Sequence, residues 1–219
     1  MWCLEDLVKI TDTQLKSIFA YSNSSAINTY AKPALDRVLK SFNHSNNKYC
    51  QDIANEGAGI REYHSGQYSI YLWYLSNEAY KANDIQCADV LYCLNKALHA
   101  VDWLYAIELP DFWSVEHPLG SVMGRAKYGD HFFFYQGCTV GGNNNMYPTI
   151  EEYVAMFSDS KVLGEAHIGK YVILGANTYI IDEDVPDYSL VFGQSPNLTI
   201  KKRSKEEMKG RFKQFWKTV

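Results

Sequence analysis

The C-terminal half of the sequence repeats an apolar residue at every sixth position, and no other feature limits the possible folds as strongly. The series is Ile150, Met156, Val162, Ile168, Leu174 and Ile180. Six residues turn a side chain by about 600° around an α-helix, or about 240° away from its starting face, so a helix cannot bury the series. A triangular parallel β-helix can, because each six-residue edge points one apolar side chain inward and three edges complete a coil of about 18 residues.

The repeat extends upstream with two irregular steps. Phe134 and Val140 keep the step of six, whereas Met123 and Phe134 are eleven residues apart, which predicts a one-residue deletion at a corner. Val140 and Ile150 are ten residues apart, so the segment GGNNNMYPT at 141–149 is predicted to leave the coil as a loop. The repeat has room for roughly five coils, and the segments before and after it are predicted to cover the open β ends.

The first hundred residues show helical spacing instead. Apolar residues recur at steps of three and four in the segments 35–42, 70–77 and 91–101. Pro33 is placed in the first turn of the first helix, where its missing N–H costs nothing. A looser stretch that includes Gly57 separates this helix from the other two.

Together these patterns predict an α+β chain in three parts. Residues 1–100 are expected to form an N-terminal α-helical domain, residues 101–200 a triangular parallel β-helix, and residues 201–219 a short basic, helical C-terminal tail. In the families that carry such a six-residue repeat, the β-helix is left-handed. The net charge is −4, but the tail holds eight of the 21 basic residues and two of the 25 acidic ones. The net charge is +6 over the tail and −10 over the rest of the chain, which predicts a local anionic partner rather than nucleic acid along the whole surface. A solvated amphipathic helix explains the same charge distribution equally well.

Composition excludes several other classes of protein. With 47% apolar and 21% charged residues, the chain is predicted to be globular rather than disordered. No apolar run reaches the roughly 18 to 20 residues of a membrane span, and acidic residues stand where a secretory signal would be apolar, so a cytoplasmic location without a membrane partner is expected. The five cysteines form no CxxC pair, which favours reduced thiols and gives no zinc framework.

The segment 101–142 combines several motifs at fixed spacing. They are Asp102, Glu116, His117, Gly120, Gly124, Gln136 and the run Thr139-Val140-Gly141-Gly142. The Asp precedes the His by fifteen residues, and the two following glycines come three and seven residues after the His. With these features the chain resembles the serine acetyltransferase branch of the left-handed β-helix acyltransferases, over about residues 60–200.

The resemblance implies acetyl transfer from acetyl-CoA to a hydroxyl group. His117 would be the general base, because a hydroxyl with a pKa far above 7 needs help to lose its proton and a histidine titrates near pH 6.5. Asp102 would hold the other ring nitrogen and favour the imidazolium that forms. Backbone N–H groups of the turn at Gly141 and Gly142 would bind the developing oxyanion.

The family also implies a cofactor groove and an oligomer. Acetyl-CoA lies between neighbouring solenoids of a trimer, which some members pair into a dimer of trimers, and no metal takes part. The aligned backbone positions are Gly142, Ser158 and Ala176, and the cations placed to meet the nucleotide phosphates are Lys201, Lys202 and Arg203. A site built by two chains predicts that the monomer is inactive.

The sequence departs from the family around the acceptor. The family has an Arg-His pair after the Gly-Gly turn, where this chain has Met146 and Tyr147, so a carboxylate loses its bidentate partner. Glu116 replaces an Asp and, with Tyr147, is expected to contact the small-molecule acceptor. An amide-rich loop suits a sugar hydroxyl, as in surface-polysaccharide synthesis, but plain turn chemistry explains the asparagines equally well. Either L-serine or a sugar is therefore allowed as the acceptor. The last residues, WKTV, do not match the family's tail, which ends in Ile and docks into O-acetylserine sulfhydrylase.

Two other functions remain open. A non-catalytic β-helix scaffold predicts no transfer of acetyl and no effect of removing His117. A zinc hydratase of the carbonic anhydrase kind uses the same fold and needs three converging histidines, for which His117, His131 and His167 are the candidates.

Overall fold

The N-terminal part of the chain is helical, as predicted. A computed structural model describes residues 1–50 and 59–219, so Gly57 in the predicted looser stretch lies outside the described residues. The helices are α1 (Leu4–Phe19), α2 (Ser24–His44), α3 (Ser65–Lys81) and α4 (Ile85–His99). The three predicted helical segments correspond to α2, α3 and α4. None of the described helices is both long and apolar enough to span a membrane.

The prediction for Pro33 is wrong. Pro33 lies inside α2, which begins nine residues earlier at Ser24, and does not occupy the first turn. The side chain of Asn23 caps this start by accepting a hydrogen bond of 3.1 Å from the backbone N–H of Ala26. The buried face of α2, which includes Ala31 and Ala34 on either side of the proline, continues without a break. The stabilisation from burial of this face offsets the loss of the backbone hydrogen bond that the proline cannot donate.

Residues 102–202 form a parallel β-solenoid of about five coils with three faces. Face 1 consists of β1 (Asp102–Trp103), β3 (Val122–Met123), β6 (Thr139–Gly141), β9 (Lys161–Leu163) and β12 (Tyr179–Ile181). Face 2 consists of β4 (Lys127–Tyr128), β7 (Thr149–Ile150), β10 (His167–Ile168) and β13 (Asp184–Val185). Face 3 consists of β2 (Trp113–Val115), β5 (Phe132–Phe134), β8 (Val154–Met156), β11 (Val172–Leu174) and β14 (Ser189–Gln194). β15 (Asn197–Lys202) pairs antiparallel with β14.

The six-residue repeat is confirmed as the inward-facing series. Met123, Val140, Val162 and Ile180 are Cα partners on successive strands of face 1. The matching partners are Phe134, Met156, Leu174 and Val191 on face 3, and Ile150, Ile168 and Val185 on face 2. Each of these side chains is at most 1% exposed. The predicted excursion between Val140 and Ile150 is also present, as a turn closed by backbone hydrogen bonds between Asn143 and Met146.

The helices sit directly on the first coil of the solenoid. The Ser41 hydroxyl in α2 donates a 2.8 Å hydrogen bond to the carbonyl oxygen of Trp113 in β2. The ring of Trp73 in α3 meets that of Trp113 edge to face, with centroids 5.4 Å apart. One hydrophobic core runs through the helices and the solenoid, and the predicted boundary near residue 100 falls between α4 and β1.

An aromatic ladder lies along the edge between faces 2 and 3. His131, Tyr153, Tyr171 and Tyr188 each precede a strand of face 3, and all four have φ between 55° and 64°. Successive ring centroids are 4.2, 4.5 and 5.5 Å apart, with interplanar angles of 5°, 6° and 15°. The left-handed backbone at each corner therefore delivers one ring per coil to the same edge.

The basic tail packs along face 3. Lys201 and Lys202 belong to β15, and the tail helix α5 spans Lys205–Phe212. α5 and the residues after it bury four apolar side chains against face 3, namely Met208, Phe212, Phe215 and Trp216. Trp216 meets the His131 ring edge to face at 5.2 Å. At the end of the stack away from the helices, β15 pairs with the last strand and acts as the cap, whereas the tail helix runs back along the side of the solenoid.

Candidate functional site

The predicted base His117 lies at a solenoid corner that we call the His117 edge, the edge between faces 3 and 1. It follows β2 by two residues, is exposed, and has φ of 53°. Ser158 and Ala176 follow β8 and β11 by the same two residues, so they lie on the same edge. Backbone hydrogen bonds of 2.9 Å join this line of corners, from the N–H of Asp159 to Gln136 and from the N–H of Asn177 to Ser158. Three of the predicted site residues are thus brought to one edge, parallel to the solenoid axis.

A cavity of about 310 Å³, which we call the His117 pocket, opens beside this residue. Its floor is the end of β2 with Glu116 and His117, and its walls come from the segment after α2 and the start of α3. The Glu116 carboxylate accepts a 2.6 Å hydrogen bond from the Asn47 side-chain amide. Burial and the charge of Glu116 raise the pKa of Tyr135, on the next coil, to about 12. Glu116 therefore presents a carboxylate to the pocket with neutral neighbours on two sides.

His64 is a second histidine in the His117 pocket. It is the N-cap of α3, where its Nδ1 accepts a hydrogen bond from the backbone N–H of Gln67 at 3.2 Å. Burial lowers the pKa of His64, and the nearby Arg61 and His117 lower it further. Because Nδ1 is an acceptor, the neutral ring carries its proton on Nε2. The pocket thus contains a neutral donor beside the predicted base.

The predicted partner of His117 has other partners in the structure. Asp102 accepts 2.6 Å hydrogen bonds from the Tyr92 hydroxyl and from the Lys96 ammonium. Burial alone would raise the pKa of Asp102, but these two donors outweigh it and lower the pKa. Within the described residues no hydrogen bond joins Asp102 to His117. The two are near in the fold, since the Asp102 N–H donates to the carbonyl of Ser121 at the end of the His117 corner.

Gly142 and Tyr147 lie on a different edge, between faces 1 and 2. A Cβ at Gly142 would come within 2.7 Å of the Tyr147 ring, so the close approach of ring and backbone requires glycine. The guanidinium of Arg125 lies 5.3 Å from the centre of the same ring. In one chain Tyr147 is therefore separated from Glu116 by the width of face 1, and the structure does not bring these two predicted acceptor residues together.

Lys201 and Lys202 lie at the end of the solenoid opposite the helices. Lys201 pairs with Leu190 across the β14–β15 hairpin, and its ammonium lies 5.5 Å from the centre of the Phe192 ring. Phe192 directly follows Val191 and stands next to Gly175, which places Lys201 beside the His117 edge. Neither lysine forms an ion pair with another described residue. With four coil steps of about 4.8 Å, this cationic end lies roughly 19 Å along the axis from His117.

Known serine acetyltransferases resemble this chain in sequence. No protein-family model matches the chain. The serine acetyltransferase of Bacillus pumilus is 27% identical over 135 residues, which cover 59% of this chain and 62% of the relative. That of Staphylococcus aureus strain Mu50 is 36% identical over 84 residues, which cover 36% of this chain and 39% of the relative. The chain thus spans less than two thirds of the length of these curated relatives.

Solved structures extend the likeness to nearly the whole chain. A serine acetyltransferase from Neisseria gonorrhoeae gives a TM-score of 0.73 at 20% identity and covers 96% of this chain and 84% of that chain. One in complex with CoA gives 0.69 at 20% identity, with 92% and 85% covered. One in complex with cysteine gives 0.69 at 19% identity, with 92% and 86% covered. The chain is similar to serine acetyltransferases in both sequence and fold.

The resemblance to serine acetyltransferases does not predict the walls of the His117 pocket. Asn47 and His64 lie 69 and 53 residues before their neighbours Glu116 and His117, so no local pattern indicates the contact. The only sequence signal for His64 is its place before a helical segment, which is typical of a cap. Gln136 belongs to the motif in the segment 101–142, and its side-chain oxygen is buried on the His117 edge without a hydrogen-bond partner among the described residues.

The candidate zinc ligands do not cluster in this serine acetyltransferase-like chain. His117, His131 and His167 lie on the His117 edge, the ladder edge and face 2, respectively. His167 pairs with Glu151 at 3.3 Å. Within residues 1–50 and 59–219 no three His, Cys, Asp or Glu side chains are grouped to hold a metal ion.

Proposed function

We propose that this chain is an acetyl-CoA-dependent O-acetyltransferase that acts on the hydroxyl group of a small acceptor held in the His117 pocket. The observation that carries the proposal is the alignment of His117, Ser158 and Ala176 along one edge, with the pocket at one end of it and Lys201 at the other. The relatives named serine acetyltransferase, and the structures in complex with CoA and with cysteine, support the same chemistry.

In the proposed reaction His117 acts as general base in a ternary complex. It takes the proton from the acceptor hydroxyl while the oxygen bonds to the thioester carbonyl carbon. Collapse of the tetrahedral intermediate breaks the C–S bond, and the departing thiolate takes the proton back from His117. His117 is exposed and makes no hydrogen bond within the described residues, so its ring is free to turn towards both groups.

Asp102 would support the imidazolium without giving up its present partners. Tyr92 donates to one carboxylate oxygen and Lys96 to the other, and each oxygen keeps a second lone pair. A ring N–H of His117 would use one of them. The lowered pKa of Asp102 keeps the carboxylate charged at neutral pH, as this role requires.

The acceptor we favour is L-serine, with a sugar hydroxyl as the alternative. Glu116 offers a carboxylate to an ammonium group, and His64 offers a neutral donor. The Gln67 side chain is occupied within the chain, donating to the carbonyl of Tyr49 and accepting from the N–H of Arg61. A pocket with one carboxylate and few free amides suits an amino acid better than a polyol.

We further propose a homotrimer or a dimer of trimers as the active form. Gly142 and Tyr147 lie on one edge of face 1 and the His117 pocket on the other, so a neighbouring protomer would complete a groove that one chain leaves open. The five free cysteines are compatible with a reducing cytoplasm.

Release of free CoA thiol in the presence of candidate acceptors tests the function. L-serine, other small hydroxyl compounds, and free and nucleotide-linked sugars are compared with acetyl-CoA as donor. His117→Ala should lower turnover at least about a hundredfold, since a general base contributes two to four orders of magnitude. The matched control is His167→Ala, which removes an exposed histidine on face 2 and should retain activity. Equal activity of His117→Ala and wild type would support a different base, and no turnover with any acceptor would support a scaffold.

A further inference from the structure

The last residues of the chain return to the end of α2. The backbone N–H of Asn46 donates to the carbonyl of Phe215 at 2.8 Å, and its side-chain amide donates to the carbonyl of Lys213 at 2.6 Å. The N–H of Lys217 donates to the carbonyl of His44 at 2.9 Å. An antiparallel bridge between Ser45 and Trp216 lies between these contacts. Residues 213–217, which we call the C-terminal clamp, therefore fix the segment 44–46 from outside.

The residue next to this clamped segment reaches into the His117 pocket. The Asn47 amide donates to Glu116 at 2.6 Å, while its side-chain oxygen accepts from the N–H of Tyr49 at 2.8 Å. Its own N–H donates to the hydroxyl of Ser45 at 3.1 Å. Both ends of the amide are thus in use, and the orientation that aims the donor at Glu116 is set by the backbone of the same segment.

The same segment forms the buried wall of the pocket. Cys50 is 5% exposed, and burial raises its pKa to about 11, with Ser45, Glu116 and Lys217 as nearby influences. The charged groups of the clamp and of the pocket therefore lie within electrostatic reach of one thiol. A loosening of residues 44–50 would expose that thiol and release Glu116 together.

We propose that Asn47 is a positioning residue for Glu116, and that the C-terminal clamp is a working part of the acceptor pocket. The part that concerns the acceptor rests on the proposed function. The existence of the clamp depends only on contacts within the chain. In this proposal, residues 213–217 support the His117 pocket of their own chain.

The kinetic test replaces the side-chain amide of Asn47, a hydrogen-bond donor, by a carboxylate of the same shape that only accepts hydrogen bonds. Asn47→Asp should raise the KM for the acceptor about tenfold, because a hydrogen bond to a charged group is lost and two carboxylates face each other. The KM for acetyl-CoA should stay unchanged. The control is Asn28→Asp, since Asn28 is an exposed residue of α2 whose side-chain amide, within the described residues, donates to the carbonyl of Ser24 alone. An unchanged acceptor KM, or an equal rise in both KM values, would overturn the positioning role.

The structural test measures the reactivity of Cys50 and needs no turnover. The exposed Cys3 and Cys93 are replaced by serine, and alkylation of Cys50 is followed by peptide mass spectrometry with the buried Cys138 as internal reference. A chain ending at Phe215 loses the Lys217 and Trp216 contacts, whereas one ending at Lys217 keeps them. We expect Cys50 to react at least about tenfold faster in the Phe215-terminated chain and in Asn47→Asp, and not in the Lys217-terminated chain.

Two outcomes would refute the clamp. If Cys50 reacts no faster in the Phe215-terminated chain, residues 213–217 do not hold the wall of the pocket. If Cys50 and Cys138 are accelerated equally, the truncation has loosened the whole fold. If no acceptor supports turnover, the proposed function fails, and the Cys50 result still decides whether the clamp exists.

Discussion

Replacement of Asp102 by asparagine separates a structural role from a catalytic one. The carboxylate binds Lys96 and Tyr92, each at 2.6 Å, and the side chains of Lys96 and Asp102 are 51% and 38% exposed. An ion pair this exposed contributes roughly 0 to 1 kcal/mol to stability. Asparagine keeps one oxygen to accept a hydrogen bond, so we expect Asp102→Asn to lose about 1 kcal/mol in total. For a chain of this length that corresponds to a Tm lower by about 2 to 4 °C.

The expected effect of Asp102→Asn on turnover is much larger. If the carboxylate supports the imidazolium of His117, its loss removes a charge-assisted hydrogen bond, and kcat should fall at least about tenfold. Lys96→Met and Tyr92→Phe are the matched controls, because they break the same contacts and leave the carboxylate in place. They should show a similar Tm and retain kcat within about threefold. Thermal unfolding and the thiol-release assay are run on all three variants. A normal kcat in Asp102→Asn, or an equal loss in Lys96→Met, would refute the assignment of Asp102 to His117.

Two further predictions concern acid stability and the cationic end. Burial lowers the pKa of His99 to about 4, so below pH 6.5 the unfolded chain binds a proton that the folded chain does not, and stability falls with pH down to about 4. Urea unfolding should show wild type losing about 2 to 3 kcal/mol more than His99→Gln between pH 7 and pH 4.5, and equal losses would exclude this histidine as the cause. Reversing the charge of Lys201 and Lys202 to Glu should raise the KM for acetyl-CoA about tenfold at low salt and less at high salt, with the acceptor KM unchanged. If only the oligomeric state changes, these lysines serve assembly.

The solenoid is predictable from sequence because its core repeats. Val162 has its partners one coil before and one coil after it, so the same apolar requirement returns at a fixed step and can be read from a single chain. The start of α2 is not predictable in this way, because the nine residues before Pro33 are mostly small or polar and become helical through the Asn23 cap and through burial on the neighbouring helices.

In the candidate site, too, the positions set by the coil repeat are predictable and those set by tertiary packing are not. His117, Ser158 and Ala176 share one edge, because equal distance from a strand end means equal position in the coil. Gly142, which the resemblance aligns with Ser158 and Ala176, lies at another corner of the coil. The partners of Asp102 and Glu116 are not predictable, because they come from α4 and from the segment after α2, whose packing on the first coil is a tertiary event. Tyr147 is predicted beside Glu116 from resemblance alone, and the loop that carries it leaves the solenoid at another corner.

The aromatic ladder has a consequence for how the chain can change its length. His131, Tyr153, Tyr171 and Tyr188 are 22, 18 and 17 residues apart, yet their rings stack in one line. The coil of 22 residues accommodates its surplus in the turn at Asn143 to Met146, on the edge between faces 1 and 2, without shifting a ring. We therefore expect insertions to be accommodated best at the corners away from the ladder, and an added coil to fit where its segment returns an aromatic residue with positive φ to the ladder edge.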